Sequence, residues 1–311
     1  MRDITVAVVN FRAVFGDIET NLLRIEEWAA RLAEQGVAIA CFPEMCICGY
    51  DHTAAVIPLA QTVPGPAVER LISIAARHGV TLLAGLAEVD TQGHRFISHV
   101  VATPQGLAGV YRKTHLSPPE REIFVAGDGI GVFEGDGCAF GVQLCYDTHF
   151  PELSTLQALA GAEVLFMAFA TPRGDPPSLR GRLLRYLPAR AYDNGCYVVA
   201  CNLMRAERRM QPSAGVALVI GPKGELLAEA TGWEEGAAVA RLSGREIERI
   251  RRTGMGYFIG HRRPELYRSW YEHIAAGNRE RELSPHPGRY GSAQLLPGGV
   301  GHRGAGHPRH G

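Results

Sequence analysis

Short apolar runs recur along the chain at residues 4–9, 37–42, 80–87, 96–102, 138–144, 164–168 and 197–201, bounded by turn-forming or polar residues. Each has the length and the β-branched content of a buried strand. Between them the period changes. Over 20–35 the apolar residues Leu22, Ile25, Trp28, Ala29 and Leu32 fall on one helical face, and over 67–78 Leu71, Ile74 and Ala75 do the same. The stretches 153–159 and 179–194 also read as helices. Such alternation predicts an α/β fold in which helices cover sheets, and one large domain accommodates it. Further strands are expected at 216–220, 225–230 and 237–242, the first two joined by the tight reversal Gly221-Pro222-Lys223-Gly224.

The pattern ends near Ala275. Beyond it the chain is rich in Gly, Pro, His and Arg, with Leu295-Leu296 as an isolated apolar pair. Such a segment buries too little surface to offset its ordering entropy. The expected organisation is therefore a domain over residues 1–276 and a mobile tail over 277–311, dispensable for activity. His302, His307 and His310 in the tail lack cysteine or carboxylate partners at metal-ligand spacing.

Composition narrows the function classes. The 311 residues are 46% hydrophobic and 21% charged, which is globular. Acidic and basic residues balance at 32 each, so no long-range field draws the chain to nucleic acid or to an anionic membrane. The longest nearly uninterrupted apolar run, 164–170, is far short of the roughly 20 residues that span a bilayer. The first residues lack the n-region, h-region and cleavage site of a secretory signal. Seven cysteines without a disulfide-framework spacing fit reduced thiols and a cytoplasmic location.

Several motifs fail on context. Gly127-Asp128-Gly129-Ile130-Gly131 precedes a strand-like Val132-Phe133 rather than opening a helix, and reads as a loop. No Gly-x-Ser-x-Gly elbow occurs. Cys41, Cys46 and Cys48 have no second cluster to complete a zinc site. Three reactive side chains remain, each just past an apolar strand: Glu44 after 38–43, Lys113 after 110–112 and Cys145 after 140–144. Ligands favour the carboxyl ends of strands in layered α/β proteins. A thiol with a carboxylate base and a nearby ammonium can carry covalent catalysis. After Cys145 the chain turns into a helical pattern with Pro151 suited to its first turn, so backbone amides there could serve an oxyanion.

Phe42-Pro43-Glu44, Tyr111-Arg112-Lys113-Thr114-His115-Leu116 and Leu144-Cys145-Tyr146-Asp147, in this order, resemble the three catalytic motifs of the nitrilase superfamily, the carbon–nitrogen hydrolases. Gly49-Tyr50, the Phe124 to Asp128 stretch, Phe150-Pro151-Glu152, Ala189-Arg190-Ala191 with Asn194, and Arg263-Pro264-Glu265-Leu266-Tyr267 extend the resemblance to Tyr267. It implies a four-layer α-β-β-α sandwich, commonly dimerised, with no metal or organic cofactor. It implies Glu44 as general base, Lys113 facing the oxyanion and Cys145 as nucleophile. A second glutamate, by motif register Glu120 with Glu122 as competitor, would position the substrate amide and support the lysine.

The Tyr146 backbone N–H is expected to share the oxyanion, and Tyr50 and His149 are candidate substrate contacts. Tyr146-Asp147 is more similar to the amidase and carbamoylase branches than to the Trp-Glu of true nitrilases. The expected activity is therefore hydrolysis of a small amide to acid and ammonia through a thioester. Branches that grip a substrate carboxylate often place arginine shortly after the nucleophile, where this chain has Thr148 and His149. Arg173, Arg180 and Arg182 are the arginines that could replace it. Alternatives carried beside the amidase are an N-carbamoyl amidohydrolase, a nitrilase, an acyltransferase and a non-catalytic scaffold. The expected partners are a small amide or carbamoyl compound and a second copy of the chain.

Overall fold

The computed structural model describes residues 1–171, 174–204 and 213–282, with side chains through residue 276. The described chain divides into two units, Met1–His261 and the residues from Arg262 onward.

The first unit contains strands β1 (Ile4–Arg12), β2 (Ile39–Cys41), β3 (Thr81–Val89), β4 (Arg95–Thr103), β5 (Gly106–Arg112), β6 (Val132–Gly135), β7 (Cys138–Leu144), β8 (Val164–Phe169), β9 (Tyr197–Met204), β10 (Gly215–Ile220), β11 (Leu226–Gly232) and β12 (Gly236–Leu242). Its helices are α1 (Ile18–Ala33), α2 (Pro66–His78), α3 (Pro151–Leu159), α4 (Pro176–Leu184), α5 (Leu187–Asn194) and α6 (Gly244–Arg251). One sheet runs β5-β4-β3-β2-β1-β12 and the other β6-β7-β8-β9-β10-β11. They meet where β1 and β9 pair in parallel at Phe11 with Leu203 and Arg12 with Met204.

Period-two geometry divides each strand between two cores. Val6 and Val8 of β1 face Phe140, Phe166 and Val199 of the other sheet in the central core. Their neighbours Ala7, Val9 and Phe11 pack under α1 and α2, through Leu22, Ile25 and Leu71 among others. On the far side, Leu165, Met167, Val198 and Ala200 pack under α4 and α5. The layers are helix, sheet, sheet, helix: the four-layer α-β-β-α sandwich. Because both faces of the central strands are buried, they read as continuous apolar runs rather than alternating ones.

Local chemistry sets the helix ends. The Asp17 carboxylate accepts from Thr20 N at 3.0 Å to start α1. Gly79, at φ 66°, ends α2 in the left-handed region, which glycine enters without steric cost. The helix expected over 179–194 is two helices, because the chain leaves helical geometry at Tyr186 and Pro188, which has no N–H to donate, stands in the first turn of α5.

The reversal at 221–224 joins β10 to β11, closed by Gly221 N donating to Glu225 O at 2.7 Å. Of β5 the sequence reading found only the end, 110–112, because it is an edge strand that begins Gly-Leu-Ala-Gly and has exposed residues in its first half. α6 escaped because only Ile247 and Ile250 among its large apolar residues are buried, within a charged run.

The second unit carries helix α7 (Pro264–Glu282), which continues past the boundary expected at 276. Its Leu266, Tyr267, Trp270, Tyr271 and Ile274 follow a helical stripe, which the sequence reading kept within the 1–276 domain without assigning it to an element. Residues 283–311, with Leu295, Leu296, His302, His307 and His310, lie outside the described residues. Among those described, no helix is long and apolar enough to cross a membrane.

Candidate active site

The carboxyl ends of β2, β5 and β7 deliver Glu44, Lys113 and Cys145. Three residues beyond β2, Glu44 is fully buried. Immediately after β5 comes Lys113, with its backbone still held in sheet fashion: Lys113 N donates to Ile97 O and Gly127 N to Lys113 O, both at 2.8 Å. The Lys113 ammonium donates to Glu44 Oε1 at 2.8 Å and to Glu120 Oε1 at 2.7 Å. Glu120 lies in a one-turn helical segment, Pro118–Glu122, where its Oε2 also accepts from Ser117 N at 2.7 Å. Glu122 is exposed, two positions on. Tyr50 adds a further donor, its hydroxyl meeting Glu120 Oε1 at 2.7 Å.

Two carboxylates against one ammonium leave a net negative charge in a space without water-like dielectric, and the ionisations respond. Burial pushes the Glu44 carboxyl up to about 7, with the Glu120 and Asp147 charges adding to the rise and Lys113 opposing it. Burial alone would lower the Lys113 ammonium, but the charges of Glu44 and Glu120 outweigh it and raise the group well above its ordinary value. Burial and the Glu44 charge push the Cys145 thiol up to about 12 against the pull of Lys113. The resting thiol therefore holds its proton. Glu44 Oε2 has no hydrogen-bond partner among the described residues, which leaves a carboxylate oxygen to receive one.

Cys145 starts a one-turn helical segment, Cys145–His149, directly after β7. Its φ is 42°, a left-handed conformation that costs a non-glycine residue on the order of 1–3 kcal/mol and persists only when neighbours over-determine it. Asp147 Oδ2 accepts from Leu144 N at 3.0 Å, and Thr148 donates its hydroxyl to Cys145 O at 2.7 Å, clamping the turn on both sides. The result is a cysteine on a sharp strand-to-helix corner, the one of the seven cysteines that is not fully buried.

Beside it, Thr171 Oγ1 lies 3.9 Å from Cys145 Sγ. The Thr171 backbone is held by Asn202, whose Oδ1 accepts from Thr171 N at 2.8 Å, and by the Ser213 hydroxyl, which donates to Thr171 O at 2.6 Å. Sequence reasoning missed Thr171, Asn202 and Ser213. The available signal was Asn202 itself, a polar residue inside the apolar run of β9, which a buried strand tolerates only with its hydrogen bonds satisfied.

Tyr146 makes edge contacts with His149 and Phe150, and His149 lies 4.9 Å from the Tyr186 ring. These form an aromatic cluster on the Cys145–His149 turn, where the Tyr186 hydroxyl also lies 3.3 Å from Thr148 Oγ1. Burial, with Arg190 and Arg182 nearby, lowers the His149 imidazole, so at neutral pH it is uncharged. Arg180, a candidate carboxylate ligand, instead donates to Glu229 Oε2 of β11 at 2.6 Å. Arg173 lies outside the described residues. No group of three or more His, Cys, Asp or Glu suited to a metal occurs among the described residues.

The sandwich thus brings a strained cysteine beside a buried Glu-Lys-Glu cluster. The family model for carbon-nitrogen hydrolases matches residues 5–252, and the chain belongs to that family, within the nitrilase superfamily. It is 30% identical to a nitrilase of Pyrococcus abyssi, over 85% of this chain and 99% of that one. It is 32% identical to an (R)-stereoselective amidase of Pseudomonas sp., over 76% and 84% respectively. Among solved structures, it is similar to a mutant of the amidase from Nesterenkonia sp. AN1, with a TM-score of 0.73 and 28% identity, covering 86% of this chain and 97% of that one. That amidase carries the acetamide moiety of fluoroacetamide covalently added at its active-site cysteine.

Proposed function

We propose that this carbon–nitrogen hydrolase converts a small linear amide to its acid and ammonia through a thioester on Cys145. Cys145 Sγ attacks the carbonyl carbon while its proton passes to Glu44. The Lys113 ammonium and the Tyr146 backbone N–H face the oxyanion that develops. Glu44 returns the proton to departing ammonia, then takes one from the water that attacks the thioester, and the acid leaves with the thiol restored. Glu120 holds the ammonium and orients the substrate amide, with Tyr50 holding Glu120.

The observation that carries this reading is the Lys113 ammonium shared at 2.8 and 2.7 Å between Glu44 and Glu120, leaving Glu44 Oε2 unpartnered. An amide is favoured over an N-carbamoyl amino acid because Thr148 and His149 stand where a carboxylate-binding arginine would, and Arg180 is engaged with Glu229. The N-carbamoyl compound is the second reading.

The test is ammonia release over a panel of aliphatic, aromatic and ω-amides, N-carbamoyl compounds and nitriles, with Cys145→Ala alongside. Turnover of amides by the parent and none by the alanine variant is expected. Silence across the panel would reduce the reading to family membership.

A homodimer is proposed as well. α3 and α5 expose Leu156, Leu159 and Tyr192, each about half accessible at 48, 50 and 51%, on the outer face of the sandwich. Light scattering should report a dimer, and Leu156→Arg should shift it toward monomer.

A further inference from the structure

We propose that Asp147 is a positioning residue, the joint through which the Cys145 turn and the Lys113 loop are held at a fixed separation during acyl transfer. Its carboxylate is fully buried and filled from both sides. Oδ2 accepts from Leu144 N at 3.0 Å, the residue before the nucleophile, and from the Tyr111 hydroxyl at 2.8 Å. Oδ1 accepts from His115 N at 2.8 Å and from the Thr114 hydroxyl at 3.0 Å, and lies 3.1 Å from His115 Nδ1. The donors from Tyr111, Thr114 and His115 bracket Lys113, so one side chain binds the segment on each side of the ammonium to the backbone that leads into the thiol.

A carboxylate is the group this joint requires. Both oxygens accept more than one bond, which an amide, with one acceptor oxygen, cannot reproduce. Its charge also matters. Among the described residues no lysine or arginine lies within ion-pair distance of it, so its charge is left to act on Glu44. A purely architectural contact between β5 and β7 would be served as well by apolar packing, without the desolvation cost of a buried anion. Asp147 thus combines geometry, at the strained φ of Cys145, with electrostatics at the base.

Resting on the cysteine-hydrolase reading above, the role is tested with Asp147→Asn by two readouts. The first is kcat and KM for amide hydrolysis. The second is alkylation of Cys145 by iodoacetamide across pH, read by intact mass, which needs no substrate and reports the Glu44–Cys145 pair. The charged and titratable groups around that pair are Lys113, Glu120, Tyr50, Tyr186 and Asp147, and those around Asp147 are Tyr111, His115 and Glu44.

Expected are a fall in kcat of about tenfold to a hundredfold with KM within about twofold. The alkylation midpoint should move to lower pH, because a negative charge has left the neighbourhood. Unchanged kcat overturns the proposal, as does a loss of kcat with an unmoved midpoint and a lowered Tm, the signature of a structural role alone. If the parent hydrolyses no amide, the midpoint decides, independently of the hydrolase reading.

Should Asp147→Asn fail to fold, Tyr111→Phe and Thr114→Val each remove one hydrogen bond to the Asp147 carboxylate, together with the contact between the two hydroxyls, and keep the carboxylate. Both should lower kcat and leave the midpoint in place, and parental kcat in both overturns the proposal.

Discussion

Glu44 ionises only near neutrality because burial and its acidic neighbours oppose the charged form, and the proposed chemistry needs that charged form. The acid limb of kcat/KM should therefore bend near pH 7, and a profile flat down to pH 5 would remove Glu44 from the role of base. The same residue weakens the fold. A carboxyl whose folded value is raised from 4.5 to about 7 is neutral and harmless at low pH, and its penalty grows as pH rises through that interval to about 3 kcal/mol. Glu44→Gln should abolish turnover, melt like the parent near pH 4 and melt higher than the parent at pH 8. Equal melting at both pH values would contradict the buried charge. Lys113→Met is expected to lower turnover by about a hundredfold to a thousandfold, the typical loss of an oxyanion donor. It should also destabilise by about 3–5 kcal/mol, because two carboxylates lose their buried partner. Residue types and order were legible at this scale: Glu44, Lys113 and Cys145 stand at strand ends in the sequence and in the fold. The choice between Glu120 and Glu122 rested on motif register, and the structure brings Glu120 alone to the ammonium because a one-turn helix turns Glu122 to solvent.

β3 shows how an element sets the position of the base. A methyl group on Gly85 would stand 2.3 Å from Met45 N and 3.1 Å from Glu44 C, so this glycine allows the chain beyond β2 to lie against the sheet. Met45 itself adopts φ 52°, and the peptide after Glu44 has little room to yield. Gly85→Ala should lower kcat by about a hundredfold through displacement of the carboxylate, at a stability cost of about 1–3 kcal/mol. Kinetics paired with thermal melts check this, and parental kcat would mean that the base is positioned by other contacts. Strands and helices with strong apolar periods were legible. The break between α4 and α5 was not, because the 3.6-residue period of 179–194 continues across Tyr186 while Pro188 withholds the hydrogen bond that would carry the helix through. The first half of β5 and all of α6 bury few side chains and so left little periodic signal.

At the scale of the molecule, every residue placed in the site belongs to the first unit, Met1–His261. A chain ending at Ala276 should therefore retain kcat within about twofold, measured by ammonia release against the full chain. A large loss would give the C-terminal residues a part in the site. The four-layer sandwich that the family resemblance implied is the fold the structure has, and the apolar runs by themselves supplied the α/β alternation, since central strands buried on both faces read as continuous apolar runs.

What the amino-acid sequence determined by itself is the set of local properties: where strands and helices form, which reactive side chains end them, and the motif order that marks the family. These depend on residues within a turn or two of one another. The tertiary structure alone decided which partners those side chains meet. Glu44 and Lys113 are 69 positions apart, and Asp147 meets Tyr111 across 36. The first pair forms only when β2 and β5 assemble into one sheet, and the second only when the two sheets close face to face, so the ammonium between two carboxylates and the aspartate joining the thiol turn to the lysine loop were decided by packing, through burial that excludes water and makes each of those charges depend on its neighbours.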